Sequence, residues 1–209
     1  MNRRQIFALA ASIALLSADA PDGNEILARA ADDADLTSYT VPVHFNVRMH
    51  RPVSVRAGVD GTIYYKAGRA ALQITKMPGI LSQFFKGSYM LDLAPQTWPK
   101  KYTIASVSTS TSGDSPVYVL TGTPKNDPSV DHIVSLVTQQ PLAPVAFTWS
   151  YKDGSSIALT IANQTVENFT LPATETISVS MPKYALDATA EYSTYALNAP
   201  VSDAVFQSP

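Results

Sequence analysis

The 209-residue chain contains no cysteine. That removes disulfide bridges, a thiolate nucleophile, Cys-ligated zinc or iron–sulfur sites and the acylated cysteine of a bacterial lipoprotein. Charge is sparse and almost balanced. Charged residues make up 15% of the chain and the formal total is −2, which excludes a bulk nucleic-acid binder. Histidine is scarce too: only His44, His50 and His132 occur. His44 and His50 share one parity of one strand but lie about 20 Å apart in extended chain, so they cannot share a metal ion. Neither sits in an H-x-x-x-H or H-E-x-x-H pattern. The glycines (Gly58, Gly61, Gly68, Gly79 and Gly87 among them) are too scattered to cradle a phosphate, and there is no G-x-S-x-G elbow. Asp32-Asp33 reads as a solvated helix face, and nothing places two acids in one cleft as a glycosidase requires. No catalytic residue, metal or cofactor is expected.

What the chain has is apolar content, 45% of its residues. That is too much for a disordered chain and enough for one domain with a sizeable core. Met1-Asn2-Arg3-Arg4 is a short basic stretch, and Ile6 to Leu16 is an apolar run broken only by Ser12. A bilayer span needs about 20 residues, so the run has the length of a signal-peptide core. Cleavage fits after Ala18 or after Ala20. Residues 1–20 are therefore expected to be an export signal, and residues 21–209 a single exported domain.

Asn24 to Leu36 has helical spacing (Ile26, Leu27, Ala30, Ala31, Ala34), with Asp22 or Asn24 as its cap. From Tyr39 the period becomes two. Val41, Val43, Phe45, Val47 and Met49 alternate with Thr40, Pro42, His44, Asn46, Arg48 and His50. The alternation returns in Val145, Phe147, Trp149 and Tyr151, in Ile157, Leu159 and Ile161, and in Ile177, Val179 and Met181. Asp153-Gly154 and Asp60-Gly61 read as hairpin turns. Shorter strands are expected at 62–66, 71–76, 101–109, 116–121, 132–138 and 185–195, with a polar loop at 106–115. Gly79 to Met90 reads as a short helix or a loop cover. Short turns between strands favour an antiparallel meander. The expected fold is mainly β: a strongly curved antiparallel sheet, an incomplete open barrel, with a covering N-terminal helix and one more short helix.

Gly61-Thr62-Ile63-Tyr64-Tyr65-Lys66-Ala67-Gly68-Arg69 follows a helix and a long strand, and a further strand runs on to Met77-Pro78. This resembles the N-terminal half of the LolA-like periplasmic lipoprotein carriers, whose pattern there is G-x-[aromatic/aliphatic]-x-x-K-x-P. Ala67 and Gly68 stand where those carriers have an arginine, which helps latch the lid, and the proline. Val117 to Leu120, Thr148 to Ile161 with Asp153-Gly154-Ser155, and Phe169-Thr170-Leu171-Pro172 resemble the family's later paired strands. The likeness covers about residues 24–78 and 117–181. It implies a half-barrel closed by helices, located in the periplasm, whose apolar hollow holds acyl chains of a lipoprotein or another lipid.

The residues support such a hollow on their own terms. A sheet with one apolar face needs a cover, and one or two helices are little cover for some ten strands. The lining would be Val43, Phe45, Val47 and Met49, then Ile63 and Tyr65, then Phe147, Trp149 and Tyr151, then Ile157 and Leu159, then Ile177 and Val179. Phe84, Phe85 and Met90 would form a lid. Burying a methylene is worth roughly 0.8 kcal/mol, so a sixteen-carbon chain could gain on the order of 10 kcal/mol before ordering costs.

Residues 44–101 carry a net +7, residues 19–43 a net −5 and residues 102–209 a net −6. The basic segment 48–101 could meet a membrane or an envelope protein transiently, or acidic and basic strands could pair across the sheet. Trp98-Pro99-Lys100-Lys101 reads as an exposed partner site or an ordinary loop. The protein is expected to be a monomer. Two other readings stay open: a lipid-sensing envelope-regulatory module on the same fold, and a closed β-sandwich with a structural or adhesive role and no ligand.

Overall fold

The computed structural model describes residues 21–31, 35–79 and 94–207. Helix α1 (Gly23–Ala31) precedes β1 (Ser38–Arg51), β2 (Val55–Lys66) and β3 (Arg69–Lys76). A 3-10 turn (Pro95–Thr97) and the short helix α2 (Trp98–Lys101) lead into β4 (Tyr102–Ser112). Then follow β5 (Ser115–Pro124), β6 (Val130–Gln139), β7 (Leu142–Tyr151), β8 (Ser156–Val166), β9 (Phe169–Ser180), β10 (Ala185–Tyr192) and β11 (Ala196–Leu197). The strands form one antiparallel sheet in the order β3-β2-β1-β10-β9-β8-β7-β6-β5-β4, with β11 beside the start of β1. The sheet is not closed into a barrel. This is the open, curved β architecture expected, and the closed β-sandwich falls with it.

Two meanders, β1–β3 and β4–β10, are joined along β1, which lies against β10 from Val43–Tyr192 to Arg51–Ala185 and, at its start, against the two-residue β11. The connection from β3 to β4 consequently carries the chain from one edge of the sheet to the other.

Helix α1, described over Gly23–Ala31, does not reach Leu36 as the spacing predicts, because Asp35 already lies in a turn. Asp22 caps it, its Oδ1 accepting from the Asn24 backbone N–H at 2.9 Å. Asn24 has another task. Its Oδ1 accepts from the Ile104 N–H (2.8 Å) and its Nδ2 donates to the Ile104 carbonyl (3.3 Å), tying the helix to the edge strand β4. The approach there is close: a Cβ on Gly23 would lie 2.3 Å from Ile104 Cγ2.

Three local readings need correction. Asp60 and Gly61 are not a turn; β2 runs through them opposite His44 and Val43, and the reversal falls at residues 52–54. Pairing two long strands through their apolar faces outweighs a local Asp-Gly preference. Gly61 instead flanks a bulge toward β3, where a Cβ would meet Leu72 Cδ1 at 2.8 Å. The polar stretch 106–115 is not a loop but two paired strands meeting at Gly113-Asp114; beyond Val107 the β4 residues are exposed, so no alternation marks them. The strand expected to reach Tyr195 ends at Tyr192. Asp153-Gly154 does lie in the β7–β8 turn.

Ala67 and Gly68 form the two-residue turn between β2 and β3, with Lys66 opposite Arg69 and φ of 51° and 77°. Positive φ at both positions defines a type I′ hairpin turn, for which Asn-Gly is the strongest pair. Alanine at the first position carries roughly 1–2 kcal/mol of left-handed strain. Ala67→Asn is expected to raise unfolding stability by about 1 kcal/mol, read as a higher urea midpoint with an unchanged slope.

Candidate functional site

Directly opposed residues in a sheet point to the same face, so the register traces the site. One row runs Ala57, Val47, Ala188, Ile177, Leu159, Phe147, Ser135, Leu120 and Val107, from β2 across to β4. The next runs Val55, Met49, Leu186, Val179, Ile157, Trp149, Ile133, Gly122 and Ile104. All thirteen residues named as lining from the sequence therefore share one face of a continuous sheet. Val43, Phe45, Val47, Met49, Ile63, Tyr65, Phe147, Trp149 and Leu159 are buried. Tyr151, Ile157, Ile177 and Val179 are half-buried. Ile157 and Val179 are cross-strand partners, and Val179 also faces the half-buried Leu186. The apolar face thus reaches solvent at one rim. The lid residues Phe84, Phe85 and Met90 lie outside the described residues, as do most of residues 79–90, Asp32-Asp33 and the export segment 1–20.

The face divides into two apolar clusters. The first joins β1, β2, β3 and β10 with Leu171, Leu36 and Tyr195. The second joins β4 to β8 with Ile26 and Leu27 of α1 and Trp98 of α2. Ile177 packs against both. In the second cluster the Trp98 ring lies tilted against Phe147, 4.1 Å between centroids, and Phe147 lies 4.4 Å from Trp149. The Trp149 indole N–H donates to the Tyr102 hydroxyl at 2.7 Å, and burial pushes the Tyr102 phenol up to about 12. Trp98 is therefore no exposed partner site; it is fully buried. The flanking Pro99, Lys100 and Lys101 gave the segment a surface-loop appearance, but a one-turn helix rolls the ring inward.

Glu175 was missed. It lies on the same face, between Ala190 of β10 and Ile161 of β8, and is wholly buried. Its Oε2 accepts from the Tyr192 hydroxyl at 2.6 Å. Its Oε1 is buried with no hydrogen-bond partner among the described residues. Burial raises its pKa from 4.5 to about 8 despite the opposing Tyr192 hydrogen bond. The signal was available, because the alternation of Ile177 and Val179 extended back two residues puts Glu175 inside. Around it Tyr192 stacks on Tyr195, Tyr195 meets Tyr39 edge-on, and Tyr39 stacks on Tyr65.

On the outer face, charges do pair between strands. His44 meets Asp60, which raises the His44 pKa, and His50 meets Asp187 at 2.7 Å. Lys66 and Arg69, flanking the Ala67-Gly68 turn, both hold Asp203, at 3.3 and 2.6 Å, and Arg69 lies over the Phe206 ring. The motif's basic residues therefore fasten the segment 201–206 to the β2–β3 hairpin. Arg48 and Arg56 stand opposite one another and exposed. No group of His, Asp and Glu among the described residues could hold a metal ion. No described helix is long and apolar enough to cross a membrane.

An open antiparallel sheet with helices on its apolar face defines a class of half-barrel proteins, and solved structures share it over nearly the whole chain. A LolA superfamily protein from Nitrosomonas europaea matches with a TM-score of 0.65 at 16% identity, covering 90% of this chain and 98% of that one. A DUF1329 family protein from Desulfovibrio piger matches with a TM-score of 0.66 at 10% identity, covering 88% and 95%. An outer membrane lipoprotein-sorting protein domain from Vibrio parahaemolyticus matches with a TM-score of 0.60 at 14% identity, covering 88% and 95%. No family model and no curated protein matches the sequence. The chain has the LolA-like fold.

Proposed function

We propose that this chain is an exported, non-enzymatic binder or carrier of lipid or lipoprotein acyl chains, working in the periplasm. The observation that carries this reading is the single apolar face that crosses the unclosed sheet and reaches its rim at Tyr151, Ile157, Val179 and Leu186. Apolar surface of that extent suits a guest whose affinity comes from methylene burial and needs no dedicated motif. The fold shared with a lipoprotein-sorting domain agrees with it. The thirteen lining residues would contact the chain, with Phe84, Phe85 and Met90 as the lid. Arg48 and Arg56 would give the basic segment its transient contact with a membrane or envelope partner. The protein would act as a monomer.

Native mass spectrometry of the protein purified from its host tests this. A population carrying the mass of one lipid or acylated protein is expected, together with saturable enhancement of N-phenyl-1-naphthylamine fluorescence. Ile157→Glu, at the half-buried rim, is expected to weaken the fluorophore by about tenfold or more by setting a charge in an apolar path. Only apo mass, with no fluorophore binding, would end the reading.

A further inference from the structure

Glu175 is an anomaly on an otherwise apolar face. It sits between the two clusters, beside the small side chains of Ala188 and Ala190, and no described lysine, arginine or histidine pairs with it. One carboxyl oxygen takes the Tyr192 hydroxyl; the other has no described partner. An unsatisfied buried polar atom in a folded protein calls for an explanation, and replacing it by an apolar group would remove the cost. We propose that Glu175 anchors the polar end of the bound chain: with Oε2 occupied by Tyr192, the carboxylic acid donates from Oε1 to the carbonyl oxygen of an acyl ester or amide whose alkyl part lies along the apolar face. This rests on the lipid-binding reading and names the ligand's recognised group.

A donor is required, and the carboxyl is one near neutrality because burial raises its pKa to about 8. The titratable groups facing it from the packed elements are Tyr192 of β10, Tyr195 just beyond it and Tyr39 of β1. Tyr192 and Tyr195 are both pushed upward by burial, so neither competes for the proton below pH 9. From β8 the neighbour is the apolar Ile161.

The test compares 1-palmitoylglycerol with 1-O-hexadecylglycerol, which keeps the chain and glycerol but lacks the carbonyl. Each displaces N-phenyl-1-naphthylamine from the full chain at pH 6 and at pH 9. In the wild type the ester is expected to bind about tenfold tighter than the ether at pH 6, the worth of one hydrogen bond in a buried site, and to lose the preference at pH 9. Glu175→Leu should bind both equally at both pH values, with ether affinity retained. Should the leucine variant not fold, Glu175→Gln serves instead: its amide donates at any pH, so the preference should persist at pH 9. Equal displacement by ester and ether in the wild type at pH 6 would overturn the anchor while leaving the lipid reading intact. Displacement by neither would remove both.

Discussion

Raising the pH from 5 to 9 is expected to destabilise the wild-type protein by about 4 kcal/mol, and Glu175→Gln is expected to abolish most of that slope. The folded carboxyl titrates near 8 instead of at 4.5. Between those values the folded state holds a proton that the unfolded chain releases, so stability falls as pH rises and levels off above the folded pKa. His44, raised by Asp60, acts in the same direction but is half-exposed and contributes little. Asp127, Asp153, Asp187 and Asp203 are all lowered by hydrogen bonds to their carboxylates. Their stabilisation is present above the unfolded carboxylate range and is lost as pH falls through it, so stability should peak near pH 5. Urea melts of both proteins at pH 5, 7 and 9 measure this. Parallel curves for wild type and variant would show that Glu175 is not the group responsible.

Trp98→Ala is expected to cost about 3–5 kcal/mol, the usual range for truncating a large buried aromatic. The ring is fully buried and lies against Phe147 and Trp149, with Ile26 and Leu27 of α1 in the same cluster. Its loss empties the place where α1, α2 and the β4–β8 half of the sheet meet. Lys100→Ala, two residues on, removes only an exposed side chain whose ammonium donates to the Ala67 carbonyl at 3.3 Å. It should stay within about 0.5 kcal/mol of wild type. Thermal and urea melts of the pair separate a core tryptophan from a docking residue on the surface. A Trp98→Ala protein as stable as Lys100→Ala would mean the ring does not hold the helices to the sheet.

These two residues mark where reading the sequence failed. Trp98 stands among Pro99, Lys100 and Lys101, and a four-residue helix has too short a period to reveal its buried side. Glu175 stands between threonines, and its charge argued for the outside although its parity argued for the inside. In both cases the average behaviour of a residue type masked what a specific neighbourhood imposed: Phe147 and Trp149 around one, Tyr192 and Ala190 around the other. Asp60-Gly61 failed for a related reason. A two-residue turn preference is small beside the register of a twelve-residue strand, so the chain turned at residues 52–54.

Period-two alternation by itself determined which side of each long strand is apolar, since successive side chains point to opposite faces whatever the strand pairs with. Within each strand the chosen lining residues fall on one side for that reason. The three-four spacing of Ile26, Leu27, Ala30 and Ala31 determined α1 in the same local way. Which strands are neighbours was decided only in three dimensions. The β1–β10 pairing joins residues some 140 positions apart, and no local pattern encodes a partner at that distance. That one pairing makes two meanders into a single face, puts Glu175 beside Tyr192 and Ala190, and sends the β3–β4 connection across the molecule to deliver Trp98 to the core.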